Sequence, residues 1–240
     1  MSLARPTRLS ALASRAARPR PRTTSTPPGR SAAATAATPT MATAAPAQPT
    51  AIVTGSNRGI GFEIARLLAA AGLRVVATAR DAAAGAAAAE KIRAATGNPA
   101  VVSQQLDIAD AASVARFAAW CAAEEARPEV LVNNAGMAFK GDAWGAAEAR
   151  ATIDTNYRGT KALCEALAPL LPDGRGRIIN VGSFAGKLGI VKSEALEQRF
   201  AEADRAEELD ALAAEFEGGV ARGDYAAVGW PRCEWERLLA

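Results

Sequence analysis

The stretch that decides the fold is Thr54-Gly55-Ser56-Asn57-Arg58-Gly59-Ile60-Gly61. It follows a short apolar run at 51–54 and opens a pattern in which apolar residues recur every three or four positions, as in a helix. Gly55 permits a tight exit from a strand, Gly59 lets the backbone approach a pyrophosphate, and Gly61 lets the helix pack close to the sheet. The free N–H groups at the start of that helix favour an anion. These residues therefore predict a strand–turn–helix unit that binds the phosphates of a dinucleotide.

The alternation of strands and helices continues beyond this unit. Further apolar runs predict strands at 75–78, from 101, at 130–132 and at 178–181, and the patterns between them predict helices, of which the longest covers 146–171. Strands that alternate with helices favour a parallel sheet covered on both faces. We therefore expect an α/β fold with a single doubly wound parallel sheet of the Rossmann type.

The residue at the end of the second predicted strand bears on the choice between NAD and NADP. An acid at this place binds the ribose hydroxyls of NAD, but this chain has Arg80, and Arg58 lies within the glycine turn. Two guanidinium groups can bracket a 2′-phosphate with charge-assisted hydrogen bonds. The alternative is that both are ordinary surface arginines, since arginine is usually exposed. The pattern favours NADP(H) as the cofactor.

The glycine spacing Gly-x-x-x-Gly-x-Gly resembles the signature of the short-chain dehydrogenase/reductase family, and the resemblance extends along the chain. Asp107-Ile108 is similar to the pair that touches the adenine in that family, although Asp107 also suits a turn. Asn133-Asn134-Ala135-Gly136 matches a family motif in which small residues leave room for the cofactor and Asn134 supports the central strand. The resemblance implies that the cofactor contacts Gly55, Ser56, Asn57, Arg58, Gly59, Ile60, Gly61, Arg80, Asp107, Ile108, Asn134, Ala135 and Gly136.

The family reduces carbonyl groups with Asn, Ser, Tyr and Lys side chains. Asn156 and Ser183 match its Asn and Ser by position, so the resemblance implies that both are catalytic; a serine at that place also suits a turn or a helix cap. The Tyr-x-x-x-Lys pair that should follow Ser183 is absent. Tyr157 and Lys161 have the spacing but precede Ser183, and Tyr157 lies on the apolar stripe of the long helix. Tyr157 is therefore interpreted as a core residue.

The region 190–230 resembles the helical insertion of the monomeric carbonyl reductase branch of this family. The similarity is carried by residues 193–200 and by Gly229-Trp230-Pro231. In that branch the active Tyr follows the Gly-Trp-Pro segment by four residues. This chain has Trp235 at that position, and Leu239 stands in the place of the Lys.

The resemblance covers 50–231 and breaks at Arg232. We therefore expect a reductase domain at 49–231 that lacks the last strands of the family and leaves its fifth strand open, followed by a divergent tail at 232–240. A mis-spliced or read-through end and a genuine short isoform both explain the break. The resemblance implies reduction of an aldehyde, ketone or quinone with NADPH by a monomer. The alternative is a non-catalytic NADPH-binding or interaction module, a truncated pseudoenzyme.

The first part of the chain has a different composition. Residues 1–50 contain no Asp or Glu and seven arginines, and they are otherwise mostly Ala, Ser, Thr and Pro. This composition is typical of an organelle transit peptide, and it favours the chloroplast over the mitochondrion. A disordered basic tail and a nucleic-acid-binding arm are alternatives, and a start at Met41 would give a cytoplasmic form. We expect residues 1–48 to be a disordered leader of the transit-peptide kind.

The remaining composition excludes several classes of function. The chain has no His, so a His-based triad and a His-ligated metal are excluded. Its three cysteines are far apart, which fits neither a disulfide framework nor a zinc site. No uncharged apolar stretch has the length of a membrane span. We expect no metal, membrane or nucleic-acid partner, and the family resemblance implies a small-molecule carbonyl substrate.

Overall fold

The computed structural model describes residues 48–123, 128–139, 144–191 and 193–231. The predicted leader at 1–48 lies almost wholly outside these residues, and the predicted tail at 232–240, which includes Trp235 and Leu239, lies fully outside them. In the described part of the chain, no helix is both long enough and apolar enough to cross a bilayer.

The strands of the described residues are β1 (Thr50–Val53), β2 (Arg74–Ala79), β3 (Val101–Gln105), β4 (Val130–Asn133) and β5 (Arg177–Asn180). They form one parallel sheet in the order β3-β2-β1-β4-β5. Ile52 of β1 lies between Val76 of β2 and Leu131 of β4. Because the order reverses beside β1, the crevice at the carboxyl ends of β1 and β4 is the switch point at which such sheets bind ligands. The predicted doubly wound parallel sheet is confirmed.

The helices of the described residues are α1 (Gly59–Ala70), α2 (Ala82–Thr96), α3 (Ala111–Ala123), α4 (Ala146–Ile153), α5 (Thr160–Leu167), α6 (Glu194–Glu202) and α7 (Ala206–Arg222). Short 3-10 turns cover Ala168–Leu170, Phe184–Gly186, Leu188–Ile190 and Tyr225–Val228. Local sequence sets several of these limits. The side chain of Asp81 accepts a hydrogen bond from the Ala84 N–H (2.6 Å) and so caps the start of α2, while Gly97, with φ of 68°, ends it.

The strands are apolar because helices pack on both faces of the sheet. On one face, Ile52 is buried in a cluster with Phe117 of α3 and Leu163 of α5. On the other face, Val53 is buried in a cluster with Ile92 of α2. Successive residues of a strand point to opposite faces, so burial on both faces requires a continuous apolar run.

The insertion forms its own small core. Leu196 of α6, Leu212 of α7 and Trp230 are buried together. The Trp230 ring lies 5.8 Å from the Phe200 ring and 5.2 Å from the Phe216 ring, between centroids. Aromatic pairs at these separations add to the stabilisation from buried area. The Gly-Trp-Pro segment therefore holds the two insertion helices together.

The long helix predicted at 146–171 is interrupted. Between α4 and α5 the backbone follows a π-helical turn at Asp154–Gly159, called the π-turn below. The turn brings Gly159 close to the loop after β3, where a Cβ on Gly159 would overlap the carbonyl oxygen of Ile108. The prediction of an unbroken helix was wrong because apolar spacing does not record such a backbone approach. Single π-turns within α-helices occur frequently at functional sites.

Strand β5 is the exposed edge of the described sheet. Among the described residues it pairs with β4 alone. Ile178 and Ile179 point to opposite faces of this strand, and they are 42% and 48% exposed. Within the described ranges, therefore, the outer edge of β5 has no strand partner. An apolar edge strand of this kind favours association with other chains.

Ile179→Lys is expected to reduce aggregation at high protein concentration without unfolding the protein. Because Ile179 is half exposed, the free energy of unfolding should change by less than about 1 kcal/mol, whereas an edge lysine opposes strand pairing. Light scattering against concentration, together with thermal unfolding, measures both quantities. Leu67→Lys is the matched control, since Leu67 is exposed on α1 and away from the sheet edge. Equal loss of association in both variants would contradict the role of the edge.

Candidate functional site

The glycine turn at the carboxyl end of β1 leaves an open cradle. Gly55 and Gly59 have φ of 63° and 60°, which glycine adopts without strain. A Cβ on Gly59 would meet no atom within 4 Å, so the space beside it is free. Arg58, the N-cap residue of α1, forms no side-chain capping bond, and the first turn of α1 has no acidic residue. The first N–H groups of α1 are therefore available to an anion.

Gly61 is buried where α1 meets the loop after β4. A Cβ on Gly61 would overlap Nδ2 of Asn134 and lie 2.6 Å from the carbonyl oxygen of Gly55. Nδ2 of Asn134 itself donates hydrogen bonds to the carbonyl groups of Thr54 (2.9 Å) and Gly55 (3.3 Å). The glycine pattern predicts that α1 packs close to the sheet at Gly61. The nearest groups there are instead the Asn134 side chain and the Gly55 carbonyl of the turn.

Thr54 is a residue to which the sequence assigns no role of its own. Its Oγ1 accepts hydrogen bonds from the backbone N–H groups of Asn134 and Ala135, both at 2.9 Å. These bonds join the ends of β1 and β4 at the switch point, and Thr54 is buried there. A threonine at the end of an apolar run is equally suited to a strand interior, so the sequence carries no signal that separates the two roles.

Thr54→Val is expected to lower the free energy of unfolding by about 2–4 kcal/mol. Valine keeps the shape but removes the acceptor, which leaves two part-buried backbone N–H groups without this partner. Urea unfolding measures the change. Thr54→Ser retains the hydroxyl and should cost less than half as much. A valine variant as stable as the unsubstituted protein would show that these bonds contribute nothing.

Ser56 lies in the interior rather than on the cleft surface. Its Oγ accepts a hydrogen bond from the Thr78 N–H (2.9 Å) and donates one to the Val53 carbonyl (3.1 Å). Its side chain is fully buried, so it ties the glycine turn to β2 and is not available to a cofactor. In contrast, Asn57 is half-buried and Ile60 is exposed, and both remain on the surface of the turn.

The two arginines predicted to select NADP follow the carboxyl ends of the neighbouring strands β1 and β2. The Ser56 N–H donates to the Thr78 carbonyl (2.9 Å), and Arg58 and Arg80 each follow two residues after this pair. Both arginines are exposed. Within the described residues neither forms a salt bridge. Two guanidinium groups without a protein carboxylate partner are suited to bind an anionic group here.

Asp107 and Ile108 differ in their access to the cleft. Asp107 is half-buried, and its Oδ1 accepts a hydrogen bond from the Ala109 N–H (3.0 Å). Its backbone N–H donates to Oγ of Ser113 (3.0 Å), which fixes the turn after β3. Ile108 is buried in the core cluster that contains Phe117. The side chain of Ile108 therefore stabilises the core and is not available to an adenine ring.

A cavity of about 970 Å³ opens at the switch point. Its walls are the loop 133–139 after β4, residues within 148–164, the segment 180–186 after β5, and Phe216 and Pro231 of the insertion. Of the predicted site residues it brings together Asn134, Ala135, Gly136, Asn156 and Ser183. A volume of this size suits a small organic ligand together with part of a cofactor.

Asn156 and Ser183 face this cavity from different walls. Asn156 lies in the π-turn, where its Oδ1 accepts from the Met137 N–H and its Nδ2 donates to the Met137 carbonyl, both at 2.8 Å. Oγ of Ser183 accepts from the Ala185 N–H (3.2 Å) and so caps a 3-10 turn. The exposed Ser183 hydroxyl keeps its own proton for donation into the cavity.

Tyr157 is not a core residue, contrary to the interpretation from the sequence. Its hydroxyl donates to Oδ1 of Asp210 on α7 (2.9 Å), and Nζ of Lys161 contacts Oδ2 of the same carboxylate (2.6 Å). Burial and the hydrogen bond to Asp210 raise the pKa of Tyr157, and the hydrogen bond from Lys161 lowers the pKa of Asp210. Tyr157 and Lys161 therefore anchor the insertion, and the pKa of the phenol is raised although the charge of Lys161 acts to lower it.

The two described cysteines have different surroundings. Burial raises the pKa of Cys121 to about 11, which keeps its thiol protonated at neutral pH. Sγ of Cys164 accepts a hydrogen bond from Nδ2 of Asn133 (3.1 Å) at the cavity wall. Within the described ranges no three potential metal-ligating side chains come together.

The sheet order, the glycine turn at the end of β1 and the cavity at the switch point define a dinucleotide-binding α/β protein of the Rossmann class. Residues 49–195 match the model of the short chain dehydrogenase family. The chain therefore belongs to the short-chain dehydrogenase/reductase family, and the resemblance inferred from its motifs is confirmed.

Similar proteins include reductases. Over 186 residues the chain is 39% identical to "Carbonyl reductase [NADPH] 1" of Bos taurus, which covers 75% of this chain and 66% of that protein. The solved structure of menthone neomenthol reductase from Mentha piperita is 32% identical, with a TM-score of 0.70, and covers 77% of this chain and 78% of that one. A metagenomic short-chain oxidoreductase in complex with NADP is 40% identical, with a TM-score of 0.53, over 58% of this chain and 64% of that one. The chain spans about two thirds of the length of the curated relatives it matches.

Proposed function

We propose that this chain binds NADP(H) and reduces a small-molecule carbonyl compound, an aldehyde, ketone or quinone. The observation that carries the proposal is the open glycine turn beside Arg58 and Arg80, neither of which forms a salt bridge within the described residues. The relatives named as NADPH carbonyl reductase or solved with NADP give independent support.

The shape and charge of the site suit two anionic groups of this cofactor, the pyrophosphate and the 2′-phosphate. The free space at Gly59 and the start of α1 suit the pyrophosphate, and the two arginines suit the 2′-phosphate. The other half of the dinucleotide would extend across the switch point towards Asn134, Ala135 and Gly136. When bound, NADPH would supply the hydride, and solvent water in the open cavity would supply the proton that completes the alcohol.

Within the cavity we assign separate roles to Ser183 and Asn156. The Ser183 hydroxyl is free to donate a hydrogen bond to a carbonyl oxygen, which stabilises charge that develops there. Asn156 holds the loop at Met137 in place through two hydrogen bonds. Tyr157 also lines the cavity, but its bond to Asp210 and its raised pKa make it a poor proton donor.

Incubation of the chain with NADPH and an apolar dione tests the proposal. Binding is followed by cofactor fluorescence, and turnover by loss of NADPH absorbance that depends on the dione. Both signals are expected for an oxidoreductase. Binding without turnover would support the alternative, a non-catalytic NADPH-binding module, and absence of binding would reject both.

We further propose that the protein is a monomer and that residues 1–48 direct it to the chloroplast. The acid-free, arginine-containing composition of those residues supports the targeting proposal. Fusion of residues 1–48 to a fluorescent protein should give plastid fluorescence. Mitochondrial fluorescence would correct the organelle, and a diffuse cytosolic signal would contradict targeting.

A further inference from the structure

Acidic side chains of the insertion helix α7 form ion pairs and hydrogen bonds with residues in and next to the π-turn. Nη1 and Nη2 of Arg158 contact the two carboxylate oxygens of Glu217 at 2.8 and 2.6 Å, and Nη1 also contacts Asp154 at 2.6 Å. Two turns earlier on α7, Asp210 accepts a hydrogen bond from the Tyr157 hydroxyl and contacts Nζ of Lys161. Asp210 and Glu217 are two helical turns apart, so they share one face of α7. We call these contacts the α7 clamp.

The Arg158–Glu217 pair is the best shielded part of the clamp. The Glu217 side chain is 13% exposed, whereas the Asp210 side chain is 41% exposed. The pair is bidentate, and a two-pronged guanidinium–carboxylate contact fixes orientation as well as distance. Water and salt screen such a pair less than an exposed one. Glu217 is therefore the residue whose charge most strongly fixes the π-turn.

A continuous set of contacts leads from the clamp to the dinucleotide cleft. Asn156 lies in the π-turn, next to Tyr157 of the clamp. Its side chain forms hydrogen bonds with both the N–H and the carbonyl group of Met137. A Cβ on Gly136 would lie 3.2 Å from Oδ1 of Asn156, so the loop passes directly beside this side chain. The same loop contains Asn134, which bonds to the carbonyl of Thr54 at the glycine turn.

The clamp matters because a π-turn is rare and differs from the α-helix on either side of it, so contacts from neighbouring elements decide whether it is kept. If the turn relaxed towards an α-helix, the residues before it would rotate by up to about 100° about the helix axis. Asn156 would then no longer meet Met137. The change would alter the loop after β4. Arg58 and Arg80 would be unaffected, because they follow β1 and β2.

We propose that Glu217 and Arg158 are positioning residues, which hold the π-turn so that Asn156 shapes the loop at 134–137 around the nicotinamide half of the dinucleotide. This inference rests on the proposed binding of NADP(H). Neither residue needs to touch the cofactor, since both act through Asn156 and Met137.

Glu217→Gln tests the inference, because it removes the charge and keeps the size of the side chain. The dissociation constants of NADPH and of adenosine 2′,5′-bisphosphate, which lacks the nicotinamide half, are measured by titration calorimetry. NADPH should bind about threefold to tenfold more weakly, and the bisphosphate should be unaffected within about twofold. Glu215→Gln is the control. It removes a bidentate pair between α7 and Arg199 of α6 that does not involve the π-turn, so it should change neither constant.

Each other outcome overturns the inference in a recognisable way. Unchanged NADPH affinity in Glu217→Gln rejects the positioning role and leaves the proposed function intact. Equal weakening of both ligands indicates a general loss of structure, which also rejects it. Failure of the unsubstituted chain to bind either ligand rejects the proposed function, and the inference with it.

Discussion

Gly61→Ala is expected to lower the free energy of unfolding by about 3 kcal/mol, a large fraction of the stability of a typical domain. The added Cβ would overlap Nδ2 of Asn134 and lie 2.6 Å from the Gly55 carbonyl oxygen. Neither group can move away cheaply, because Nδ2 is bonded to the Thr54 carbonyl at 2.9 Å and Gly55 lies in a tight turn. Urea unfolding followed by circular dichroism measures the loss.

Gly59→Ala is the control for this prediction. Its Cβ would meet no atom within 4 Å, so the cost is confined to the left-handed backbone, about 1–2 kcal/mol. NADPH affinity should nevertheless fall, because the new methyl group enters the proposed pyrophosphate cradle. A Gly61→Ala protein more stable than Gly59→Ala would contradict the packing argument.

Arg80→Asp is expected to reverse the preference between NADPH and NADH. Loss of a charge-assisted hydrogen bond and the new repulsion between carboxylate and 2′-phosphate should weaken NADPH binding by about 100-fold. NADH, which has no 2′-phosphate, should be nearly unaffected, since a carboxylate at this place can accept from ribose hydroxyls. Fluorescence titration with each cofactor measures the ratio of dissociation constants.

Arg175→Asp provides the same change of charge at another place. Arg175 is exposed and precedes β5, so it lies at the amino ends of the strands, opposite the cleft. This variant should retain the original ratio. An unchanged ratio in Arg80→Asp, or an equal shift in both variants, would remove the assignment of Arg80 to the 2′-phosphate.

The fold could be predicted because its signals are local. The apolar run at 51–54 records burial on both faces of β1, and the glycine at 59 adopts the left-handed backbone that the turn requires. Asp81 and Gly97 limit α2 as capping residues do in general. The caps and the glycine turn are set by neighbours within a few residues, and the burial of β1, although distant helices cause it, is recorded in the apolar run of the strand itself.

The details of the site could not be predicted because they depend on distant partners. The acceptor role of Thr54 requires Asn134 and Ala135 of the next strand's loop. Tyr157 appears apolar in a helical pattern, yet its hydroxyl reaches Asp210 in the insertion. The π-turn requires the approach of Gly159 to Ile108, which no spacing of apolar residues records.

At Ser56 the glycine motif predicts the path of the backbone correctly but not the direction of the side chain. The glycine signature places it in the phosphate-binding turn, but its hydroxyl is used by Thr78 and Val53 and is fully buried. A motif specifies the path of the backbone, whereas the direction of each side chain depends on the hydrogen bonds available in the fold.

The central claim is that the glycine turn and its two arginines bind a dinucleotide that carries a 2′-phosphate. Calorimetric titration of the folded chain with NADPH and with NADH tests it most directly. We expect saturable binding of NADPH with a dissociation constant at least about tenfold below that of NADH. Absence of NADPH binding in a sample with intact circular dichroism, or tighter binding of NADH, would contradict the claim.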